Sequence, residues 1–229
     1  MNLEEPLFEG VKNSMNLLNK AICIAEEIAS VRLQACFAKG CAYFYRASFR
    51  LQLQTWEEAH ADASKAFEEF IKYSQLDSVH DLTLSACALL IKIESLECLG
   101  RYEQALELFG QLQMMQETLT WHYPDQHTVH LSRSFEVNAR LHMALNRFEE
   151  AGASAFHALS RCQIWTGEKS LFIQGQEVSS ARTFSRAAYY LGKKDLWQQY
   201  EHKANLLYAE LEGKGLRMFP LPAMLPLTR

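Results

Sequence analysis

Proline is scarce in this chain, five in 229 residues, and three of the five lie beyond residue 219. Between Pro6 and Pro124 there is none, so nothing in that stretch forbids long helices with short connections. No run approaches the ~18 consecutive apolar residues of a membrane-crossing helix, and no span is expected. The opening MNLEEPLF is acidic and lacks a basic segment followed by an apolar core. A secretory leader is therefore not expected, and the expected compartment is the cytoplasm. A basic excess is missing too: 23 Lys and Arg stand against 27 Asp and Glu, a net charge of −4, which argues against direct nucleic-acid binding. The six cysteines include no Cys-x-x-Cys pair and fall mostly in apolar helical faces, as thiols do in a reducing compartment. Gly-rich phosphate loops, a Gly-x-Ser-x-Gly elbow and His-Glu-x-x-His are all absent, so no catalytic residue, cofactor or metal is expected.

What is present is a repeat. In the stretch 97–113, ECLGRYEQALELFGQLQ, the residues at +3, +7 and +10 from Tyr102 are Ala105, Phe109 and Leu112, which share one face of a 3.6-residue helix. The same face reads Trp56, Ala59, Ala63, Ala66 upstream and Phe148, Ala151, Ala155, Ala158 downstream. Both are offset by 46 residues (102 − 56 and 148 − 102). A fixed period of this size marks helical units that bury their apolar faces against neighbours. The small residues let helices approach closely, and the aromatic at each start fills the space where two helices diverge.

In chain order the pattern predicts nine helices. The first, from about Pro6 to about Ala29, carries Phe8, Val11, Met15 and Leu18 as a lone cap. The second carries Leu33, Phe37, Cys41, Phe44, Ala47 and Leu51. Thr55 with Glu58 reads as a capping box opening the Trp56 helix, and residues 75–78 read as a turn. The next helix stops at Gly100, and the Tyr102 helix runs to about Leu119. Residues 120–130 form the least regular stretch, with Asp125 placed to cap the following helix. The Phe148 helix ends near 165–167. A last pair covers about 171–191 and 196–211, the second with the face Trp197, Tyr200, Ala204, Leu207.

Leu99-Gly100-Arg101-Tyr102 with Ala105, Phe109 and Leu112 resembles the turn and second helix of a tetratricopeptide repeat (TPR). Asn146-Arg147-Phe148 with Ala151 and Ala158 is similar, as is Trp56 with Ala59 and Ala66, although the period here is 46 rather than the family's 34. The resemblance implies an all-α fold: a right-handed superhelix of antiparallel helix pairs, a TPR-like α-solenoid. On this reading residues 1–212 form one repeat domain, and the first helix of each pair lines a concave groove.

If that register carries over, the groove presents Arg46, Arg50, Glu94, Arg133, Asn138, Arg140, Arg182 and Arg186. A guanidinium offers a rigid fork of donors to carboxylate or phosphate, so the arginines could hold an acidic protein segment. They could equally pair with glutamates of adjacent helices. The leading function is a non-catalytic scaffold or adaptor binding a peptide or protein segment, the alternative a ligand- or peptide-sensing regulatory domain. A metal-dependent enzyme, using His122, Asp125, His127 and His130, is an outlier. The tail 213–229 differs from the rest, since Pro220, Pro222 and Pro226 exclude helix while Phe219, Leu221 and Leu225 make it apolar. It either caps the last pair or binds a partner.

Overall fold

A computed structural model of the chain describes residues 4–28, 33–74, 79–164 and 170–213. Among these residues there are nine helices and no strand: α1 (Glu4–Ile28), α2 (Leu33–Gln52), α3 (Trp56–Ser74), α4 (Val79–Cys98), α5 (Tyr102–His122), α6 (Pro124–Ala144), α7 (Phe148–Ile164), α8 (Leu171–Tyr190) and α9 (Lys194–Gly213). The tail with Phe219, Leu221 and Leu225, the turn at 75–78, and the side chains of Phe8, Val11, Leu33 and Asp125 lie outside the described residues.

The period is written into the turns. Gln54 (φ 62°), Gly100 (φ 71°), Asn146 (φ 59°) and Gly192 (φ 70°) all adopt the left-handed conformation, each 46 residues after the last (100 − 54, 146 − 100, 192 − 146). Each ends a helix in the same way. The next residue's N–H reaches back five residues, as Thr55 to Arg50 O (3.0 Å), Arg101 to Leu96 O, Arg147 to His142 O and Lys193 to Ala188 O (2.9 Å each). The left-handed residue itself donates three residues back, and the two bonds together satisfy carbonyls that a helix C-terminus leaves open. The following helix starts two residues after the left-handed one, at Trp56, Tyr102, Phe148 and Lys194.

Three local expectations change. Residues 120–130 are helical except for Tyr123, because Pro124 takes the first position of α6, where its missing N–H costs nothing; Asp125 lies inside the helix rather than capping it. Thr55 precedes α3, but its hydroxyl reaches back to Arg50 O (3.4 Å) instead of closing a capping box. The turn at Gly192 sets α9 one helical turn earlier than its aromatic face suggested. The residues equivalent to Phe148, Ala151, Ala155 and Ala158 are thus Lys194, Trp197, Glu201 and Ala204.

The helices fall into two compact units, Met1–Leu119 and Thr120–Arg229. In the first, α2 packs on α1 and α3, and α3 on α4. Its core joins Ile22, Ala42, Tyr43, Ala66, Phe70 and Ala88, with Ala47, Ala63 and Ile91 beside them. In the second, α7 packs on α6 and α8, α8 on α9, and α6 also touches α8. Val129, Cys162 and Ile173 form one core cluster there, and Leu159, Ala181 and Ala204 another. The repeat alanines Ala59, Ala63, Ala66, Ala105, Ala151, Ala155 and Ala158 are all fully buried, as close helix packing requires. The aromatics that open the helices, Trp56, Tyr102 and Phe148, are half-buried.

Candidate partner-binding faces

Positions 46 residues apart on the first helices should meet the same surroundings, and the structure bears this out for one of them. Arg46 on α2 pairs with Asp62 on α3 through Nε and Nη2, each at 2.6 Å. Asn138 on α6 donates to Ser154 Oγ on α7 at 2.8 Å, and Phe184 on α8 meets the Tyr200 ring on α9 edge-on at 4.6 Å. Asp62, Ser154 and Tyr200 keep the same spacing as Arg46, Asn138 and Phe184 (154 − 62 and 138 − 46 are both 92; 200 − 154 and 184 − 138 are both 46). One geometric slot between a first and a second helix is thus filled by an ion pair, an amide–hydroxyl bond and an aromatic pair. This accounts for where Arg46 and Asn138 point.

In the first unit Asp62 is almost completely buried and neutralised twice, by Arg46 and by Arg50 Nη1 at 2.6 Å. Arg46 also donates to Asn19 on α1 (2.6 Å), and its hydrogen bond to Asp62 holds its guanidinium above the ordinary pKa. Its cationic head further lies 5.2 Å from the ring of Tyr43. Burial and a 2.8 Å bond to Glu26 push the phenol of Tyr43 up to about 12. Glu94 on α4 is buried.

In the second unit the inner side of α6 and α8 centres on Glu136, which is 2% exposed. It accepts from Arg140 one turn along α6 and from Ser179 (2.7 Å) and Thr183 (3.5 Å) on α8, so a buried carboxylate clamps α6 to α8. Arg133 is half-buried on the same helix. The two arginines of α8 are placed differently. The guanidinium carbon of Arg182 lies over the ring of Tyr208 on α9, 4.7 Å from its centroid. Arg186 is half-buried, and its pKa is lowered, chiefly by burial, with Arg182 adding to the shift and Glu201 opposing it. Among the described residues neither of these two makes a hydrogen bond or ion pair through its guanidinium.

The structure brings His127 and His130 together, ring centroids 5.9 Å apart, with Tyr123 edge-on to His127 at 6.3 Å. His127 is 6% exposed and its Nδ1 has no hydrogen-bond partner; burial lowers the pKa of both rings. Among the described residues no three His, Cys, Asp or Glu side chains converge as metal ligands. The second unit also holds a cleft of about 370 Å³ between α7, α8 and α9, lined by Gly152, Phe156, Phe184, Ala188, Leu191 and Leu196, with Glu149 and Lys193 as its charged residues. Sequence reasoning missed it, since nothing in the pattern marks which apolar residues stay uncovered. No helix among the described residues is long and apolar enough to cross a membrane.

Comparison with solved structures places this architecture. Nearly identical TPR-like repeats from a Podosopora anserina protein described as a kinesin light chain superpose with a TM-score of 0.62 at 17% identity, over 91% of this chain and 90% of that one. A single-substitution variant of the same repeats superposes with a TM-score of 0.65 at 16% identity, over 89% of each chain. BtubC (BKLC) from P. vanneervenii gives a TM-score of 0.51 at 11% identity, over 96% of this chain and 98% of that one. No protein-family description and no curated sequence matches the chain. The fold is therefore that of the TPR-like helical-repeat proteins, all-α throughout the described residues.

Proposed function

We propose that this protein is a non-catalytic interaction scaffold that holds an acidic segment of a protein partner, with the paired arginines of α8 as its main anchor. One observation carries the reading. Arg186 is half-buried with a pKa lowered by burial, and Arg182 sits over the Tyr208 ring, yet neither guanidinium meets a hydrogen-bond acceptor among the described residues. Burying a cation without a partner costs free energy, and an external carboxylate would recover it through charge-assisted, bidentate hydrogen bonds. Arg46, Arg50 and Arg140 differ, because Asp62 and Glu136 already neutralise them. On this reading they support the fold first, with Arg133, Glu94 and Asn138 contributing to the face around them. The protein works in the cytoplasm, needs no cofactor and does not contact nucleic acid directly. A sensing domain would call for an enclosed polar cavity, whereas the cleft of the second unit is lined mostly by apolar side chains.

The test uses a fluorescent poly-Glu peptide, with a poly-Lys peptide as control, titrated against the full chain at low and moderate salt. Binding of the acidic peptide should weaken as salt rises. Arg182→Glu with Arg186→Glu should weaken it at least about tenfold (~1.4 kcal/mol). Arg46→Glu should instead lower thermal stability. Equal binding by wild type and the α8 double variant would overturn the assignment.

A further inference from the structure

The cleft of the second unit lies between the second helices α7 and α9, over the C-terminal half of α8. The 46-residue period shows why it is open. Gly152 stands where Leu106 and His60 stand one and two periods earlier (152 − 46 and 152 − 92), and Ala188 where His142 and Leu96 stand (188 − 46 and 188 − 92). Two bulky side chains are thus missing from its lining at once. In the first unit the corresponding slot is occupied: the imidazole of His60 is half-buried and feels the charges of Lys92 and Arg101, the counterparts of Phe184 and Lys193. The slot that is polar and filled there is apolar and open here.

Helix packing does not call for the glycine. A Cβ at Gly152 would meet only the Ala187 Cβ, at 3.6 Å, an ordinary contact, while glycine inside a helix costs backbone entropy. The rim departs from the period in the opposite sense. Phe156, 49% exposed, replaces Ser64 and Gly110, and Leu196, 37% exposed, replaces Gln104 and Glu150. Large apolar side chains held in water beside a void are stabilised once something covers them.

We propose that this cleft docks an aromatic side chain of a protein partner, one flanked on the partner's chain by a basic and an acidic residue. The volume of about 370 Å³ admits a whole ring. Phe156 and Phe184 stand tilted to each other with centroids 5.9 Å apart, so a third ring can pack on them edge-on or offset. The two charged lining residues, Glu149 in the first turn of α7 and Lys193 just before α9, are exposed, and among the described residues neither makes an ion pair. Opposite charges beside an apolar centre complement a segment that carries both, and a polar rim around an apolar core is the anatomy of protein interfaces. A free small molecule would keep part of its surface in water in an open cleft, whereas a side chain brings its own backbone to cover the mouth. None of the lining residues belongs to the arginine pair of α8, so this site and the acidic-segment site stand or fall separately.

The test is titration of the full, isotope-labelled chain with acetyl-Lys-Trp-Glu-amide, read by NMR amide shifts at 149–156 and 188–196, with acetyl-Lys-Ala-Glu-amide as control. The tryptophan peptide should shift these signals saturably with a Kd on the order of 1 mM, as one anchor without the rest of a partner would, and the alanine peptide should not. Gly152→Leu, which introduces the residue type of position 106, should weaken binding at least about tenfold without lowering the melting temperature. Should that variant fail to fold, Phe156→Ser and Leu196→Gln, both at exposed positions, should each weaken it about threefold. No saturable shift by about 10 mM, or wild-type affinity in the folded variants, overturns the proposal. Equal affinity for N-acetyltryptophanamide overturns it in favour of a small aromatic ligand, and a dimer in sedimentation that Gly152→Leu dissociates overturns it in favour of a second copy.

Discussion

The ring of Phe70 on α3 fills the space that Gly40 leaves on α2: a Cβ at Gly40 would stand 2.7 Å from ring Cε1 and 2.8 Å from Cδ1. The ring is fully buried and has nowhere to turn. In an exposed helix, replacing glycine by alanine gains about 0.5–1 kcal/mol of backbone entropy. Here overpacking wins, and Gly40→Ala should destabilise the protein by about 1–3 kcal/mol in urea unfolding. Gly40→Ala should cost less in the Phe70→Leu background than in the wild type, because the smaller side chain relieves the overlap.

The clamp of the second unit is expected to be sensitive to loss of its anion. Glu136→Ala would remove the buried carboxylate that pairs with Arg140 and accepts from Ser179 and Thr183, and removing one partner of a buried pair costs about 3–5 kcal/mol. Because Arg140 keeps 18% side-chain exposure and can turn to water, the lower end of that range is expected. Denaturant midpoints of Glu136→Ala and Glu136→Gln decide it, with Gln expected to retain the Ser179 bond and lose less.

Acid should loosen the same unit. His127 and His130 have folded-state pKa values lowered by burial, so the unfolded chain binds protons more readily than the folded one. Stability is therefore complete above the unfolded value of about 6.5 and is lost as pH falls from there through the folded values. Melting temperatures recorded between pH 7.5 and 5 should drop, and His127→Gln should flatten the slope. An unchanged slope in that variant would assign the acid sensitivity to other groups, such as His60, whose pKa is lowered by burial and by Lys92 and Arg101.

The four left-handed turn residues make an internal control. A Cβ at Gly100 or Gly192 would touch nothing, so substitution there acts on the backbone alone. Gly100→Ala and Gly192→Ala should each cost about 1 kcal/mol, and Gln54→Gly should gain roughly as much. Asn146→Gly should change little, since asparagine tolerates this conformation. Urea midpoints of the four variants give the ranking directly.

Much of this architecture was legible from residue patterns. The aromatic and alanine face of α3, α5 and α7 repeats at a spacing that only a helical array explains, and Gly100 and Gly192 mark their turns openly. Gln54 does not, because nothing about a glutamine announces positive φ; its turn is visible only through the period. The junction of α5 and α6 was misread because a polar, proline-containing run looks like a loop until the proline is seen at N1. Arg46 and Arg186 were indistinguishable as letters. What separates them is a partner on another helix, Asp62 in one case and none among the described residues in the other, and side-chain direction of that kind is set by packing rather than by local pattern.

The identical turn at 54, 100, 146 and 192 also gives the chain a quantum of length. Its phase passes unbroken from Gly100 to Asn146, across the junction of the two units at 119 and 120. Excising or duplicating one whole 46-residue block keeps every left-handed turn in register, while a cut of any other size shifts the helices that follow out of the period. Gene-level gain or loss in such a protein is thus expected to be counted in whole blocks, and a variant lengthened by one block is a more conservative change than one lengthened by a single residue within a helix.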